Sequence, residues 1–509
     1  MAIALRYTYI AFWMISCATL AWVGAASSPQ SAAPDDDAHK LSDPYHWLSE
    51  ASDISFARDG RWRDSTLRTL SASWAAMGEF DRAKEIAARV RYHRGRDWTF
   101  KDIAVSQARA ALLEEALNTV ADIGQPGERH GALADVAKAL ADTDLHKQAI
   151  PIAQSVGDPA VRARALQGVA HRHARAGRLE LATAAGADIK DPVREVQVWG
   201  VIASKHGAMN NAEEARRSIE RAERAAEVLA DDSYNQGLAY LFIVRTLAEL
   251  QEFEWALRTA QNIDQDHSWH GWAHRDIALA QIQAADLADA LDTAANITRA
   301  ATRAEAYVAM ASLLRTHETQ DDAVALEERA VRMARGAADQ IARDDAWARI
   351  AEVSADPANL VFAMNAFESA DSGNLDLAMK AIVEVKEPWF RDPAIAAIAL
   401  AQVREGLFDE AHQTITASSS SVWVSNVYKE IAIAHARSGR IVPALVAAEQ
   451  LPVGLARAST YREIGAARIR GEDGGTVRDW INGIETPALR VFALIGVAEG
   501  LHNACQERQ

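Results

Sequence analysis

The sequence predicts an all-α protein, a right-handed α-solenoid of about a dozen helical hairpins of about 33 residues each. Three observations predict this fold. An alanine recurs every 33 residues, at Ala83, Ala116, Ala149 and Ala182, and again at Ala378, Ala411 and Ala444. A glycine stands five residues earlier in several repeats, at Gly78, Gly177, Gly373, Gly406 and Gly439. A hydrophobic residue follows the alanine by seven positions, at Val90, Ile123, Val156, Ile189, Val385 and Leu451, with one exception at Ser418, and Ile484 continues the same spacing.

Each repeat has the pattern of two helices joined by a short turn. Within residues 430–439, apolar residues at i, i+3, i+4 and i+7 predict a first helix that ends near Gly439. Pro443 falls in the first turn of the next helix, where its missing N–H costs nothing. Ala444 stands where the two helices are expected to cross, since a larger side chain would force them apart.

The repeat is interrupted once in the first half of the chain. From Gly207 to Gln251, the next residue in the glycine position, the spacing is 44 residues. The second helix of this repeat is predicted to be extended through residues 212–229, with Glu and Arg at i,i+4 spacing.

A second interruption lies between Glu318 and Gly373, where the spacing is 55 residues and an extra helix is expected at 340–372. Either interruption could be a local insertion, a kink that separates sub-arrays, or a dedicated docking surface. Residues 490–497 form the last repeat and are predicted to end the stack, with the polar tail 502–509 as its cap.

These interruptions suggest a division of the chain into parts. The predicted parts are a signal peptide at 1–26, a flexible linker at 27–45, and three arrays at 46–232, 233–357 and 358–509. The signal peptide is indicated by a positive start at Arg6, an apolar run and small residues before position 27. It predicts a periplasmic or secreted protein.

Two alternatives to a cleaved signal peptide stay open. Cys17 loosely matches a lipoprotein cleavage site, although the apolar run continues past it. The run from residue 7 to 26 approaches the length of about 20 residues that spans a bilayer, so an uncleaved membrane anchor is the other alternative. No later segment is predicted to span a membrane.

Charge and cysteine content bear on the class of function and on the expected disulfides. The formal charge of −16 disfavours binding to nucleic acid, which requires a dominant basic surface. Of the two cysteines, only Cys505 lies outside the predicted signal peptide, so no disulfide within the mature chain is expected.

Four stretches of the sequence have the pattern of a known helical repeat. Residues 304–311 and 347–351 have the large and small residues of a first helix, and residues 78–83 and 406–411 both read Gly-X-Phe-Asp-X-Ala across the turn. The chain therefore resembles tetratricopeptide repeat proteins over about residues 64–500. It departs from that family in its 33-residue period and in the alanine that replaces most mid-helix glycines.

The resemblance implies that the first helix of each hairpin lines a concave groove that binds a protein or peptide. The positions that would face this groove hold mainly basic and amide side chains: Arg164, Gln167, His171, Arg175, Arg194, Gln197, Lys205, Arg245, Trp272 and Arg275. They could be ordinary solvated helix faces, or a basic lane that attracts an acidic segment or a C-terminal carboxylate. Trp199 and Trp347 are expected in the core, and Trp272 is expected to be an exposed anchor.

No catalytic motif is present, so no enzymatic activity and no cofactor are expected. His267, His270 and His274, spaced i, i+3 and i+7, could bind zinc or copper if they shared one helix face. The repeat register instead places His267 in a turn, and no metal site is predicted.

The sequence thus predicts an exported scaffold for protein–protein interaction, with envelope assembly or secretion as a possible setting. One alternative is a structural subunit of an envelope complex, anchored by an uncleaved N-terminal helix. Another is a metal-binding or enzymatic protein that uses the three histidines. The sequence does not indicate an oligomeric state.

Overall fold

The computed structural model describes residues 40–56, 62–316, 319–356 and 374–507. This part of the chain contains 26 α-helices and no β-strand, which confirms the all-α prediction. The predicted signal peptide and most of the predicted linker lie outside the described residues. The described end of that linker is largely helical, because residues 40 and 41 are helical and a further helix begins at Pro44.

The helices alternate between an inner and an outer layer. The inner helices are α2 (Arg63–Ala76), α4 (His93–Arg109), α6 (Pro126–Leu140), α8 (Pro159–Arg175), α10 (Pro192–Ala208), α12 (Ser233–Glu249), α14 (Ser268–Gln283), α16 (Ala300–Thr316), α18 (Gln340–Ala355), α20 (Pro388–Arg404), α22 (Ser421–Arg437), α24 (Leu455–Gly471) and α26 (Pro487–Gln506). The outer helices are α1 (Pro44–Phe56), α3 (Phe80–Ala88), α5 (Leu113–Ala121), α7 (Ala149–Gln154), α9 (Leu179–Ala187), α11 (Ala212–Glu227), α13 (Phe253–Ala260), α15 (Leu287–Ala295), α17 (Gln320–Arg335), α19 (Leu375–Ile382), α21 (Phe408–Ile415), α23 (Ile441–Glu449) and α25 (Gly474–Asn482).

Packing between neighbouring hairpins defines the two layers. Each inner helix packs against the next inner helix, whereas successive outer helices contact chiefly inner ones. The inner helices therefore follow the shorter path. The recurrent alanines lie at the crossings within hairpins and are completely buried at all seven positions that define the repeat: Ala83, Ala116, Ala149, Ala182, Ala378, Ala411 and Ala444.

The recurrent glycine marks a left-handed turn between the two helices of a hairpin. Gly78, Gly177, Gly406 and Gly439 have φ between +72° and +86°. In other hairpins the same turn is made by Ala111, Asn210, Gln251 and Ala285, with φ between +58° and +62°. The assignment of Gly207 to this position was wrong, because Gly207 lies inside α10 and the turn residue is Asn210.

Both interruptions of the repeat include a lengthened outer helix. The outer helices α11 and α17 each have 16 residues, compared with nine in α9 and α15. The helix expected at 340–372 is not an addition to the array, since α18 is an inner helix that packs against α16 and α20. The rest of that range, 357–372, lies outside the described residues. Packing is continuous across residue 232, where α10 and α11 both contact α12.

The two ends of the array pack against each other. The C-terminal inner helix α26 contacts α2 and packs extensively against α1, which occupies the place of its outer partner. The expectation that residues 490–497 end the stack was therefore wrong, because packing continues from α26 to α1. The array closes into a ring whose last hairpin combines the first and last described helices of the chain.

A hydrophobic core continues through this closure. Trp47 and Leu48 of α1 are completely buried in one cluster with Val477 and Ile481 of α25 and Leu494 of α26. This burial supplies the free energy that holds the ends together, at roughly 25 cal/mol per Å² of apolar surface removed from water.

Helices α24 and α26 meet at unusually short range beside the closure. A Cβ added to Gly496 would lie 1.8 Å from the carbonyl oxygen of Arg462, and one added to Gly465 would lie 2.5 Å from that of Ala493. Both glycines are therefore required by backbone contact between the helices.

Candidate functional site

The predicted groove residues lie on four neighbouring inner helices, α8, α10, α12 and α14. On α8 and α10 they form amide and guanidinium contacts between helices. Gln167 Nε2 donates to Gln197 Oε1, and Arg194 Nη1 donates to Gln167 Oε1 at 2.6 Å. Arg194 also lies 3.3 Å from Asp191, the residue that caps its own helix.

Arg164 and Arg175 are the exposed basic residues of this face. No carboxylate of the described residues lies within ion-pair distance of either side chain, and both belong to α8. His171 lies between them in sequence and is partly buried. Burial lowers the pKa of His171, and the positive charge of Arg175 lowers it further, so the imidazole is neutral at pH 7.

Two openings flank α10. The first, of about 600 Å³, lies among the N-terminal ends of α8, α10 and α12 and is bounded by Pro159, Lys190, Arg194, Gln197 and Asn235. Arg194 and Gln197 are both predicted groove residues, so this opening adjoins the polar contacts between α8 and α10.

The second opening, of about 1500 Å³, lies at the C-terminal ends of α10 and α12, beneath the lengthened helix α11. Arg175 and Lys205 line it together with Glu249 and Trp255. Burial raises the pKa of Glu249, although a hydrogen bond from Ser204 opposes the shift. The two openings are joined by the face of α10, which is about 25 Å long at 1.5 Å per residue.

Arg245 and Arg275 belong to a different environment. Arg245 Nε donates to Asp276 at 2.6 Å, and Arg275 donates to the other oxygen of the same carboxylate at 2.7 and 2.8 Å. Arg275 also pairs with Glu305. Burial alone would lower the pKa of Arg275, but the two carboxylates outweigh it and raise the pKa above its usual range.

The ion pairs continue onto α18 and form a network across four inner helices. Arg349 lies 3.9 Å from Glu305, 3.6 Å from Asp345 and 3.4 Å from Glu352. Each member meets an opposite charge on its own helix or on a neighbouring one. The basic side chains of α12 and α14 are therefore engaged within the chain, unlike Arg164 and Arg175.

The tryptophans and histidines fall mainly in the packing. Trp199 and Trp347 are buried, as predicted. Trp272 is half-buried and packs edge-on against Trp269, at 4.9 Å between ring centroids. Its ring is thus fixed in a cluster rather than presented alone.

His267 precedes α14 and caps it, because its Nδ1 accepts a hydrogen bond from the backbone N–H of Trp269 at 3.3 Å. His270 and His274 are on the buried side of α14, with ring centroids 4.3 Å apart. The three imidazoles do not converge. Within the described residues, no group of three or more His, Cys, Asp or Glu side chains could hold a metal ion.

Sequence reasoning missed two features of this region. Tyr234, at the start of α12, is 54% exposed and contacts both His267 and Trp269. Asp276 is completely buried and joins two arginines. Asp276 could have been found from the sequence, because it is an acidic residue among the apolar positions of an inner helix.

Comparisons with known proteins give no family. No family model matches the chain, and no curated protein matches it. Among solved structures, it is similar to Ton1535 from Thermococcus onnurineus NA1, with 16% identity and a TM-score of 0.23 over 78% of this chain and 99% of that one. It is also similar to a circular tandem repeat protein with novel repeat topology and enhanced subunit contact surfaces, with 13% identity and a TM-score of 0.15 over 93% of this chain and 99% of that one.

No helix in the described part of the chain is long and apolar enough to span a membrane. The packing of α26 against α1 establishes a closed helical repeat array. The inner face of this array carries the candidate site.

Proposed function

We propose that this protein is an exported, non-enzymatic scaffold that binds an acidic, extended segment of another protein along α10. A helical repeat array presents one surface built from several repeats, which suits recognition of an extended segment. The resemblance to tetratricopeptide repeats supports protein binding, and the predicted signal peptide supports export. The bacterial envelope is the cellular context we favour.

The observation that carries the proposal is the contrast in ion pairing along the inner face. Arg245 and Arg275 are neutralised by buried carboxylates, whereas Arg164 and Arg175 have no such partner in the described residues. Arg175 opens onto the larger cavity together with Lys205. Basic side chains without acidic partners attract an acidic ligand even in a chain of net negative charge.

A labelled hexaglutamate peptide tests the proposal by fluorescence anisotropy at low salt. We expect binding that weakens as salt rises, since exposed charges are screened. The double change Arg164→Glu and Arg175→Glu should weaken it by about tenfold, which corresponds to about 1.4 kcal/mol.

The double change Arg332→Glu and Arg335→Glu is the matched control. Both are exposed arginines of the outer helix α17, which lines neither opening beside α10. Their reversal changes the net charge by the same amount without touching α8 or α10. Equal losses in both variants, or none in either, would contradict the proposed site.

Export is tested separately by N-terminal sequencing of the mature protein. A start between residues 26 and 28 is expected for a cleaved signal peptide. An N-terminus at Met1 in the membrane fraction would favour the anchored alternative.

A further inference from the structure

An apolar row runs along one edge of the ring in the last third of the chain. Of the sixteen large hydrophobic side chains that are exposed in the described residues, nine lie between residues 379 and 455. Five of the nine lie at the edge where the inner helices α20, α22 and α24 begin. We call these five the apolar rim: Val383, Trp389, Val422, Val453 and Leu455.

The apolar rim follows the repeat of the fold. Trp389, Val422 and Leu455 are 33 residues apart and occupy the same place in three consecutive hairpins, whose inner helices pack together. Packed helices lie about 8–10 Å apart, so these side chains form a row of roughly 20 Å. Asp392 of α20 fixes the segment before α22, because its carboxylate accepts hydrogen bonds from the N–H and the hydroxyl of Ser419 at 3.2 and 2.7 Å. The row therefore rests on helices that are tied to one another.

The two ends of the row differ in shape. At one end, Trp389 protrudes with 83% of its surface exposed. At the other end, a shallow recess of about 20 Å³ lies beside Leu455 and extends to Phe492 of α26 and to Trp62. Every residue that lines this recess is of an apolar type except Thr486. The apolar rim thus has a projecting ring at one end and an apolar recess at the other.

The middle of the row has no ionised side chain. Residues 411–428 contain no Asp, Glu, Lys or Arg. Charged residues occur at the two ends: Glu384, Lys386 and Glu387 before α20, and Glu449, Arg457 and Glu485 around the starts of α24 and α26. Each end carries both signs, so the acids of one such end can meet a base of the other. The net charge of −16 opposes contact between two copies of the chain at more acidic surfaces, but not here.

We propose that the apolar rim binds the apolar rim of a second copy of this chain, about a two-fold axis near Val422. The axis places Val422 against Val422 of the second copy. It also places each Trp389 against the recess beside Leu455 of the other copy. Both rings and both recesses are then covered, as in a closed two-fold interface.

The composition of this edge matches the anatomy of a protein interface. Stable interfaces bury about 800 Å² on each partner and have an apolar centre within a polar border. The apolar rim supplies the centre, and the serines at 418–421 supply part of the border. These residues belong to α20, α22 and α24 and the segments before them, so the inference does not depend on the proposed site at α8 and α10.

A lipid surface is the other occupant that an exposed apolar row could have. Helices that lie on membranes carry Lys and Arg around their apolar face, where these residues meet anionic headgroups. At the two ends of this row, four glutamates accompany one lysine and one arginine. This excess of acid favours a second copy over a membrane.

Sedimentation velocity over a wide range of protein concentrations tests the inference. The unmodified protein should approach the mass of two chains as its concentration rises. Val422→Arg should weaken this association by at least about a hundredfold, because two guanidinium groups would face each other in the interface. Thermal unfolding checks that the variant folds, as expected for a side chain that is 65% exposed.

Val442→Arg is the matched control. Val442 is 73% exposed and, like Val422, is the second residue of its helix. It lies at the opposite edge of the ring, because the outer helix α23 runs antiparallel to the inner helices. This variant should associate as the unmodified protein does.

Cysteine cross-linking locates the axis, in a chain whose two native cysteines are changed to Ser. Val422→Cys chains should link to one another with a short bismaleimide. A mixture of Trp389→Cys chains and Leu455→Cys chains should give linked pairs that contain one of each.

Three results would overturn the inference. The first is a single-chain mass at every concentration, whether or not the protein binds phosphatidylcholine vesicles through Val422, which would assign the row to a lipid surface. The second is an equal effect of Val422→Arg and Val442→Arg. The third is association without a cross-link through Val422→Cys. Hexaglutamate binding should be the same in Val422→Arg and in the unmodified protein, so this inference and the proposed function fail separately.

Discussion

Ser73 donates a hydrogen bond from Oγ to Glu499 Oε1 at 2.7 Å, although 426 residues separate the two in the sequence. Arg462 donates to the same carboxylate from α24, with its Nε 2.6 Å from Glu499 Oε2. Glu499 therefore joins three inner helices, α2, α24 and α26, at the point where the ring closes. In an open array Ser73 and Glu499 would lie at opposite ends.

Closure predicts that a change in α1 acts on the other end of the chain. Trp47→Ala removes a completely buried ring and should destabilise the closure by about 3–5 kcal/mol. Hydrogen exchange should then rise in α25 and α26 as well as in α2, while α8 and α10 remain protected. Trp389→Ala is the control, because Trp389 is 83% exposed. Increased exchange confined to residues 40–88 would show that the array is open.

The buried ion pairs predict a large cost for removing one shared carboxylate. Asp276→Asn leaves the Arg245 and Arg275 guanidinium groups without the carboxylate they share, which should cost about 3 kcal/mol in urea unfolding. Asp142→Asn is the matched control, since Asp142 forms an ion pair with Arg172 at 2.7 Å but is 58% exposed. It should cost less than about 1 kcal/mol. Similar losses in the two variants would contradict the assignment of Asp276 to a buried network.

The left-handed turns predict opposite effects for exchanges of glycine and alanine. Ala285→Gly should stabilise the protein by about 0.5–1 kcal/mol, because alanine is strained at its φ of +62°. Gly439→Ala should destabilise it by about 1 kcal/mol at a φ of +73°. A Cβ at Gly439 meets no atom within 4 Å, so backbone conformation alone accounts for the effect. Changes of the same sign in urea midpoints would refute this explanation.

The close approach of α24 and α26 predicts that Gly496 tolerates no side chain. Gly496→Ala would bring a Cβ into contact with the carbonyl of Arg462 and should cost about 1–3 kcal/mol. Gly131→Ala, inside α6 with no atom within 4 Å of the added Cβ, should instead be neutral or stabilising because alanine favours helix. Circular dichroism during thermal unfolding measures both. Equal tolerance at the two positions would mean that the helices can separate at no cost.

Most of the fold was predictable because its pattern is local and repeats along the chain. A buried alanine, such as Ala182, marks the place where the two helices of a hairpin cross. Closure was not predictable in this way, since contact between Ser73 and Glu499 depends on small rotations summed over the whole array. The exposure of Arg164 could be predicted from its position along the helix. Whether an acid neutralises a basic residue could not be predicted, because Asp276 reaches Arg245, and Glu305 reaches Arg275, from the next inner helix.

The buried network also predicts a pH effect at Glu352. Burial raises the pKa of Glu352 from its ordinary value of 4.5 to about 7, and Arg349 only partly opposes the shift. The folded state therefore binds a proton that the unfolded state has released between these two values, so stability falls as pH rises through this window. Glu352→Gln, which mimics the protonated form, should stabilise the protein at pH 8 by on the order of 2 kcal/mol and have no such effect at pH 4.5. Glu328→Gln, at a side chain 66% exposed on α17, serves as the control in the same urea titrations. A Glu352→Gln variant that is less stable than the unmodified protein at pH 8 would show that the carboxylate is held charged by Arg349.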